Sequence, residues 1–321
     1  KFFGGLGNDT LDASGSSTVI KARGGDGDDS LTGGTAADTL RGGKGNDSIQ
    51  GGKGSDRMIG GAGDDLLVWA HGEGSDRISG GAGQDIVGVQ GSLLEGDVFT
   101  LNQQGNKAIF DRVNLVPFKL TIDSSEAFVV QGEGGNDSLD INDLSHTAVN
   151  ALQFSGGEGN DTLDGRETHI TLRASGDNGD DILFGGSEND SLSGGEGRDI
   201  ISGGGGNDTL TGGLGADAFV FNLGNSGIDT ITDFNAAEGD RIFLARTAFG
   251  DIQASDIQIV ADDEAAAMSS GMITYSQGSG NLYFNQNGAE AGLGDGAQIA
   301  TLTGESGLEA SNFTIVSEFS I

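Results

Sequence analysis

Between Gly24 and Gly88 the hydrophobic positions fall into step. Leu31, Leu40, Ile49, Met58 and Leu67 recur every nine residues, and Ile78 and Val87 follow after the insertion Trp69-Ala70. Each sits at the centre of the three-residue segment that closes its nine-residue phrase. Such a period suits neither an amphipathic helix nor a long alternating strand. It predicts short strands, each turning one aliphatic side chain into a core. The residues between them are rich in glycine, as in Gly24-Gly-Asp-Gly-Asp-Asp29-Ser-Leu31-Thr and Gly42-Gly-Lys-Gly-Asn-Asp47-Ser-Ile49-Gln. Three glycines within four residues make a tight turn and no helix, because glycine accepts positive φ and close backbone approach.

The phrase is G-G-x-G-x-D-x-U-x with U apolar, and an internal repeat governs the reading of the whole chain. Two phrases make one coil, and stacked coils set their strands side by side in parallel. The fold class expected is all-β, a parallel β-roll. A disordered acidic tail would share the glycine and aspartate, but would have no use for aliphatic residues held in phase.

The aspartate at the sixth position keeps the same phase: Asp29, Asp38, Asp47, Asp56, Asp65, Asp76 and Asp85. A turn of this kind aims carbonyl oxygens inward, and its aspartate adds a carboxylate. Calcium is a hard cation that takes six to eight oxygens at ~2.3–2.6 Å, which stacked turns can supply. The alternation of coil sides puts Asp29, Asp47 and Asp65 along one edge and Asp38, Asp56 and Asp76 along the other, with each ion between neighbouring turns. The carboxylates at position five, Asp28, Asp64 and Asp180, read as solvent-facing.

Residues 1–23 hold one further phrase with Asp9 and Leu11, then the insertion Ala13–Arg23, in which Thr18-Val19-Ile20 reads as a strand. From 89 to 131 the repeat lapses. Val98-Phe-Thr-Leu, Lys107-Ala-Ile-Phe, Phe118-Lys-Leu-Thr-Ile and Ala127-Phe-Val-Val read as strands of a β insert or of wider coils. The single proline, Pro117, sits at a strand start, where its missing N–H is tolerated. The repeat returns with Asp137 and Asp161 and continues through Asp181, Asp190, Asp199, Asp208 and Asp217. Asp9, Asp137 and Asp161 stand in isolated phrases and read as partial sites. Ala36 and Glu188 replace the fourth residue of their phrases, normally glycine, and put those two turns in question.

A second level of repetition spans 152 residues: Asp9 to Asp161, Asp29 to Asp181, Asp38 to Asp190, Asp47 to Asp199, Asp56 to Asp208 and Asp65 to Asp217. A module of that size has been duplicated. From residue 218 the chemistry changes. Ala218-Phe-Val-Phe, Asp229-Thr-Ile and Asp240-Arg-Ile-Phe-Leu are strand-like, Asp262–Met268 suits one short helix, and Met272-Ile-Thr-Tyr with Asn281-Leu-Tyr-Phe suits a hairpin. Gln298–Leu302 and Asn312–Val316 complete a β cap over the last apolar layer.

The tandem phrases resemble those of the RTX family, the hemolysin-type calcium-binding repeats of secreted bacterial proteins. The resemblance implies calcium-stapled coils and export by a type I secretion machinery. It also likens residues 218–321 to the C-terminal region that carries the uncleaved export signal. The resulting organisation is 1–88 first module, 89–131 β insert, 132–217 second module and 218–321 cap.

Charge sharpens this picture. Lys plus Arg is 16 and Asp plus Glu is 49 in 321 residues, a net charge of −33. Self-repulsion of that size opposes a compact state. Roughly ten calcium ions would return about +20. The acidity argues against nucleic acid as a partner. There is no cysteine, hence no disulfide or thiolate site, and no apolar run of about 18 residues that would span a membrane. No signal peptide is visible and the chain opens on Lys1, which reads as a cut through a longer protein. An enzyme is not indicated. His71, His146 and His169 are far apart and show no H-E-x-x-H spacing, and Gly304-Glu-Ser306-Gly falls one residue short of a nucleophile elbow. Trp69, which a glycan could stack on, reads instead as core.

The function expected is that of a secreted calcium-binding structural or adhesive protein that folds outside the cell, with cell-surface glycans or other copies of itself as partners. Two alternatives stand beside it: the C-terminal part of a larger secreted lipase, protease or polysaccharide-modifying enzyme, and a carbohydrate-binding module.

Overall fold

The nine-residue phrases alternate between two sheets. A computed structural model describes residues 1–222, 227–285, 297–303 and 307–318, and its chain forms two units, Lys1–Glu158 with Glu167–Ile170, and Gly159–Arg166 with Thr171–Ile321. Both are wound as parallel β-solenoids. In the first unit one sheet stacks Phe2–Leu6, Lys21–Asp26, Thr39–Lys44, Arg57–Ala62 and Arg77–Ala82 in parallel. The other stacks Thr10–Asp12, Ser30–Thr32, Ser48–Gln50, Leu66–Ala70, Ile86–Gln90, Ala127–Gly134 and Ala151–Glu158.

Register makes a core from these short strands. Leu31, Ile49, Leu67, Val87 and Phe128 pair in one column, and Ala22, Leu40, Met58 and Ile78 in the other. All are buried, so each phrase contributes one layer of the interior. The turns depend on glycine at two places. At the second and fourth positions Gly43 has φ 140° and Gly45 has φ 112°, and a Cβ on Gly43 would run into the Gly25 carbonyl one coil earlier. The coils therefore stack backbone on backbone.

Thr18-Val19-Ile20 departs from the strand expected of it. The strand begins only at Lys21, and Val19 is exposed. The Ile20 N–H donates to the Asp38 carboxylate at 2.7 Å rather than to a backbone ladder, so these residues form the approach to a turn. The insert is resolved into two parts. Val98–Gln104 and Ala127–Gly134 are coil strands, while Lys107–Arg112 and Phe118–Asp123 form an antiparallel pair inserted between Arg77–Ala82 and Val98–Gln104. Pro117 immediately precedes one of them. The extra width is filled by aromatic rings: Trp69 stacks on Phe118 at 3.7 Å, and Phe110 lies 5.1 Å from Phe99 and 6.0 Å from Phe128.

The second unit repeats the plan with Thr162–Asp164, Ile182–Phe184, Ile200–Ser202, Ala218–Phe221, Arg241–Ala245 and Phe313–Val316 in one sheet. The other sheet runs through Thr171–Asn178, Ser191–Gly197, Thr209–Gly215, Asp229–Ile231 and Ala297–Leu302. It ends in the expected hairpin, Ile273–Ser276 against Asn281–Phe284, with Ile257–Val260 outside it. The short helix Asp263–Ala267 forms where expected, its start held by Asp262, which accepts the Ala265 N–H at 2.9 Å. Residues 304–306, which include the serine of the near-elbow, lie outside the described residues.

Gly43→Ala is expected to destabilise the roll by about 3 kcal/mol or more, through the clash and the positive φ together. Denaturant unfolding at saturating calcium measures this, with Gly105→Ala, whose Cβ meets nothing, as the milder control.

Candidate metal sites

A turn N–H that faces the neighbouring coil has no strand to pair with and must find another acceptor. Here the acceptor is the aspartate one coil along. On one edge Asp9 donates to Asp29 Oδ1 (2.8 Å), Asp29 to Asp47 (2.8 Å), Asp47 to Asp65 (2.8 Å) and Asp65 to Asp85 (2.9 Å), and the file ends on Glu126, which accepts from Asp85 at 2.8 Å. On the other edge Asp38 donates to Asp56 Oδ1 (2.6 Å) and Asp56 to Asp76 (2.7 Å). The second unit builds the same files from Asp161, Asp181, Asp199 and Asp217, and from Asp190 and Asp208. The two edges are those that the nine-residue spacing predicts.

The ladder uses only one oxygen of each carboxylate. Oδ2 of Asp29, Asp47, Asp56, Asp65, Asp76 and Asp85 is buried without a hydrogen-bond partner, as is that of Asp181, Asp199 and Asp217. It lies against the first glycine of its own phrase, where a Cβ on Gly24 or Gly42 would collide with it. A buried carboxylate oxygen without a donor costs about 1–3 kcal/mol or more. It can be relieved by a proton or by a cation. Burial first, then the like charge of the neighbouring aspartate, pushes the carboxyls of Asp56 and Asp76 up to about 7 and that of Asp65 to about 6. In the second unit burial raises Asp217 to about 7 and Asp181 and Asp199 to about 6. Among the described residues no group of three or more His, Cys, Asp or Glu gathers around a metal position. The donors on offer are single carboxylates and main-chain oxygens of successive turns, the oxygen-only set that suits calcium. His71, His146 and His169 take no part in these files.

Two aspartates differ from the rest. Oδ2 of Asp38 accepts the Gly34 N–H at 2.7 Å, and Oδ2 of Asp190 accepts the Gly186 N–H at 2.8 Å. Their phrases are the ones with Ala36 and Glu188 in place of the fourth glycine. In both phrases neither the second nor the fourth residue takes positive φ, and the N–H of the second closes on the phrase's own carboxylate.

A third arrangement occurs in the insert. Asp97 stands in the same register, donating its N–H to Asp137 Oδ1 at 2.6 Å. Its Oδ2 accepts the Ser92 N–H at 2.7 Å, and its Oδ1 is paired with the Arg112 guanidinium at 3.0 Å, both side chains being buried. Arg112 also donates to the Val116 carbonyl and to Nδ1 of His71, and lies over the Trp69 and Phe118 rings at 5.5 and 5.2 Å. A fixed guanidinium neutralises this rung. Trp69 is wholly enclosed and its Nε1 donates to the Gly74 carbonyl at 2.9 Å, so it is core and no glycan platform.

Sequence reasoning overlooked Asp97, Glu126, Asp229 and Asp240. Asp229 accepts from Asp208 at 3.1 Å and Asp240 from Asp217 at 3.0 Å, ending the two files of the second unit. All four keep the acid-x-apolar triplet (Asp97-Val-Phe99, Glu126-Ala-Phe128, Asp229-Thr-Ile231, Asp240-Arg-Ile242) but not the full glycine pattern before it, Asp229 alone keeping the first and fourth glycines as Gly224 and Gly227. The triplet by itself was the available signal. The fifth position is also a ladder: Asp28 donates to Asn8, Asn46 to Asp28, Asp64 to Asn46 and Gln84 to Asp64, at 2.8–2.9 Å. Asp28 and Asp64 are exposed, as expected, and asparagine serves there as well as aspartate.

Against this geometry the comparisons with known proteins can be set. A family model described as RTX calcium-binding nonapeptide repeat (4 copies) matches residues 1–17, 22–49, 32–67, 72–87, 153–167, 175–210, 184–219 and 194–231. The chain belongs to the RTX calcium-binding nonapeptide-repeat family. Calcium is the ion such repeats bind, and the Oδ2 files are the buried carboxylate oxygens of this RTX chain that have no hydrogen-bond partner. No curated protein matches it. Among solved structures it is similar to the AlgE6R3 subunit of mannuronan C5-epimerase from Azotobacter vinelandii (22% identity, 51% of this chain and 73% of that one, TM-score 0.22). It is also similar to the extracellular lipase LipA from Serratia marcescens (18% identity, 91% of this chain, TM-score 0.21), of whose length it spans 40%.

Asp47→Asn keeps the acceptor for the Asp29 N–H but removes the charge from the open oxygen. It is expected to raise the calcium midpoint of folding several-fold, whereas Asp38→Asn, at a closed turn, and Asp28→Asn, in a ladder that already uses asparagine, move it far less. Parallel calcium titrations followed by circular dichroism compare the three.

The raised aspartates also set a pH dependence. With no cation bound, the folded state holds protons that the unfolded chain releases near its ordinary carboxyl range. The ion-free fold is thus most stable at about pH 4 and loses stability as pH rises through about 6–7. Calcium displaces those protons, so its affinity rises over the same interval. Thermal melts in chelator at about pH 5 and pH 8, beside calcium titrations at both, check the sign.

Arg112→Met leaves Asp97 buried and unneutralised and is expected to cost about 3–5 kcal/mol. Unfolding at saturating calcium measures it. Arg112→Met combined with Asp97→Asn should recover part of the loss.

Proposed function

We propose that this RTX chain is a calcium-triggered structural segment of a secreted protein. The observation that carries the proposal is the file of buried aspartate oxygens, one per coil on each edge, left without a hydrogen-bond partner. Where calcium is scarce these carboxylates repel one another within a chain of net charge −33, and the polypeptide stays extended, in a state fit for export through a narrow channel. Where calcium reaches ~10⁻⁴–10⁻³ M, the range of extracellular sites, ions fill the files and their binding energy becomes folding energy. The product is a rigid acidic β-roll that performs no catalysis itself and serves as a structural or adhesive component of a surface layer, matrix or other extracellular assembly.

The test is a calcium titration of chelator-treated protein followed by far-ultraviolet circular dichroism, with magnesium in parallel. Calcium is expected to convert a largely unordered spectrum into a β spectrum cooperatively. Magnesium, which demands near-ideal octahedral geometry and sheds water reluctantly, should fail to do so. A β spectrum that persists in chelator at about pH 8, where the file carboxyls have shed most of their protons, would overturn the mechanism.

A further inference from the structure

On a chain this acidic, one sheet face of the first unit is basic. The outward positions of Lys21–Asp26, Thr39–Lys44, Arg57–Ala62 and Arg77–Ala82 pair across the sheet in two columns. One runs Lys21, Thr39, Arg57, Arg77 and on to Thr121, the other Arg23, Arg41, Ile59, Ser79 and Asp123. Lys21, Arg23, Arg41, Arg57 and Arg77 are exposed, and none forms an ion pair among the described residues. The one carboxylate in these columns, Asp123, is paired with Lys107 at 3.3 Å. Arg57, Arg77, Ser79, Lys107, Thr121 and the paired Asp123 line a shallow cavity of about 180 Å³ on the same face. The opposite sheet has nothing comparable. The outward residues of Ser30–Thr32, Ser48–Gln50, Leu66–Ala70 and Ile86–Gln90 are all uncharged.

Cations held in register on successive strands repeat every ~4.8 Å along the sheet. Their unsatisfied charge calls for a partner whose anions are strung in a line on a similar scale. The strip is about 10 Å wide, three residues of strand, and is flanked by turns carrying the exposed Asp26, Asp28 and Asp64. A nucleic acid duplex would lay phosphates on those turns. The face also offers no aromatic ring in the columns of the four repeat strands for stacking an unpaired base. Thr39, Ser79 and Thr121 between the cations instead offer hydroxyls to a hydroxyl-rich chain. We infer that this face of the first unit binds a linear acidic polysaccharide lengthwise across the strands, its carboxylates or sulfates on Arg57, Arg77, Arg41 and Lys21.

The face exists only when the coils are stacked, so the inference rests on the calcium-folded state proposed above. The experiment uses the whole chain at saturating calcium, with its β spectrum recorded in the same buffer so that loss of folding is distinguished from loss of binding. Calorimetry with a short polyuronate oligosaccharide, a sulfated glycan oligomer, a neutral glucan oligomer and single-stranded DNA compares the ligands. Binding of either acidic glycan, weakened by salt, with the glucan inert, supports the inference, and the tighter of the two assigns the anion. Arg57→Ser/Arg77→Ser is expected to reduce that affinity about ten-fold or more. Arg173→Ser/Arg241→Ser, an equal charge change on the second unit, should leave it within about two-fold. The inference is overturned if the folded protein ignores both acidic glycans, if DNA binds as tightly as they do, or if the two double variants behave alike.

Discussion

Everything in this β-roll rests on one hydrogen bond repeated coil after coil, from the N–H of a turn aspartate to a carboxylate oxygen of the aspartate on the next coil. The bond solves a backbone problem, since the turn N–H would otherwise be buried without an acceptor. In solving it, the fold draws a row of carboxylates out of water and aligns them. Each bond uses one oxygen and leaves the other enclosed by glycine backbone, with Asp29 beneath Gly24 and Asp47 beneath Gly42. Satisfying the backbone and creating a charge that needs a counter-ion are thus the same event. The calcium-triggered folding proposed above rests on that coupling.

The molecule meets the resulting electrostatic cost in three ways. In most coils the second oxygen stays open and a proton or divalent ion must serve. At Asp38 and Asp190 the turn's own N–H closes on it, in phrases where neither the second nor the fourth residue takes positive φ. At Asp97 a buried arginine, lying over the stacked rings of Trp69 and Phe118, takes the place of a cation. The third solution coincides with the only place where the first unit widens to admit an antiparallel pair and a cluster of rings. An ion-independent rung fits there because arginine brings a hydrocarbon stem and a planar face that pack against aromatic side chains, which a hydrated ion cannot.

Charge is also sorted by position. Acids occupy the turns, where ladders and ions can use them, while Lys21, Arg23, Arg41, Arg57 and Arg77 of the first unit stand on the outward face of one sheet, away from the files. Mixing the two would let lysine and arginine neutralise the files without calcium and so erase the dependence on the ion. Keeping them on separate surfaces preserves both the switch and a face of opposite sign to the rest of the unit.

The sequence alone determined the repeat, the parallel roll, the pairing of Asp29, Asp47 and Asp65 on one edge and Asp38, Asp56 and Asp76 on the other, and the hairpin and helix of the C-terminal region. Each follows from strict local spacing, and a fixed spacing in a coil becomes a fixed place in space. What only the tertiary structure decided involves residues brought together across coils or across an insertion. Arg112 and Asp97 are 15 residues apart and share no motif. Glu126 and Asp240 end their files without the paired glycines that open a repeat. Thr18-Val19-Ile20 has the composition of a strand but faces a carboxylate rather than a ladder. The basic columns are invisible in a list of residues, because Lys21, Arg41, Arg57 and Arg77 become neighbours only when strands eighteen or twenty positions apart lie side by side. Local chemistry fixed the rung, and stacking fixed what each rung meets.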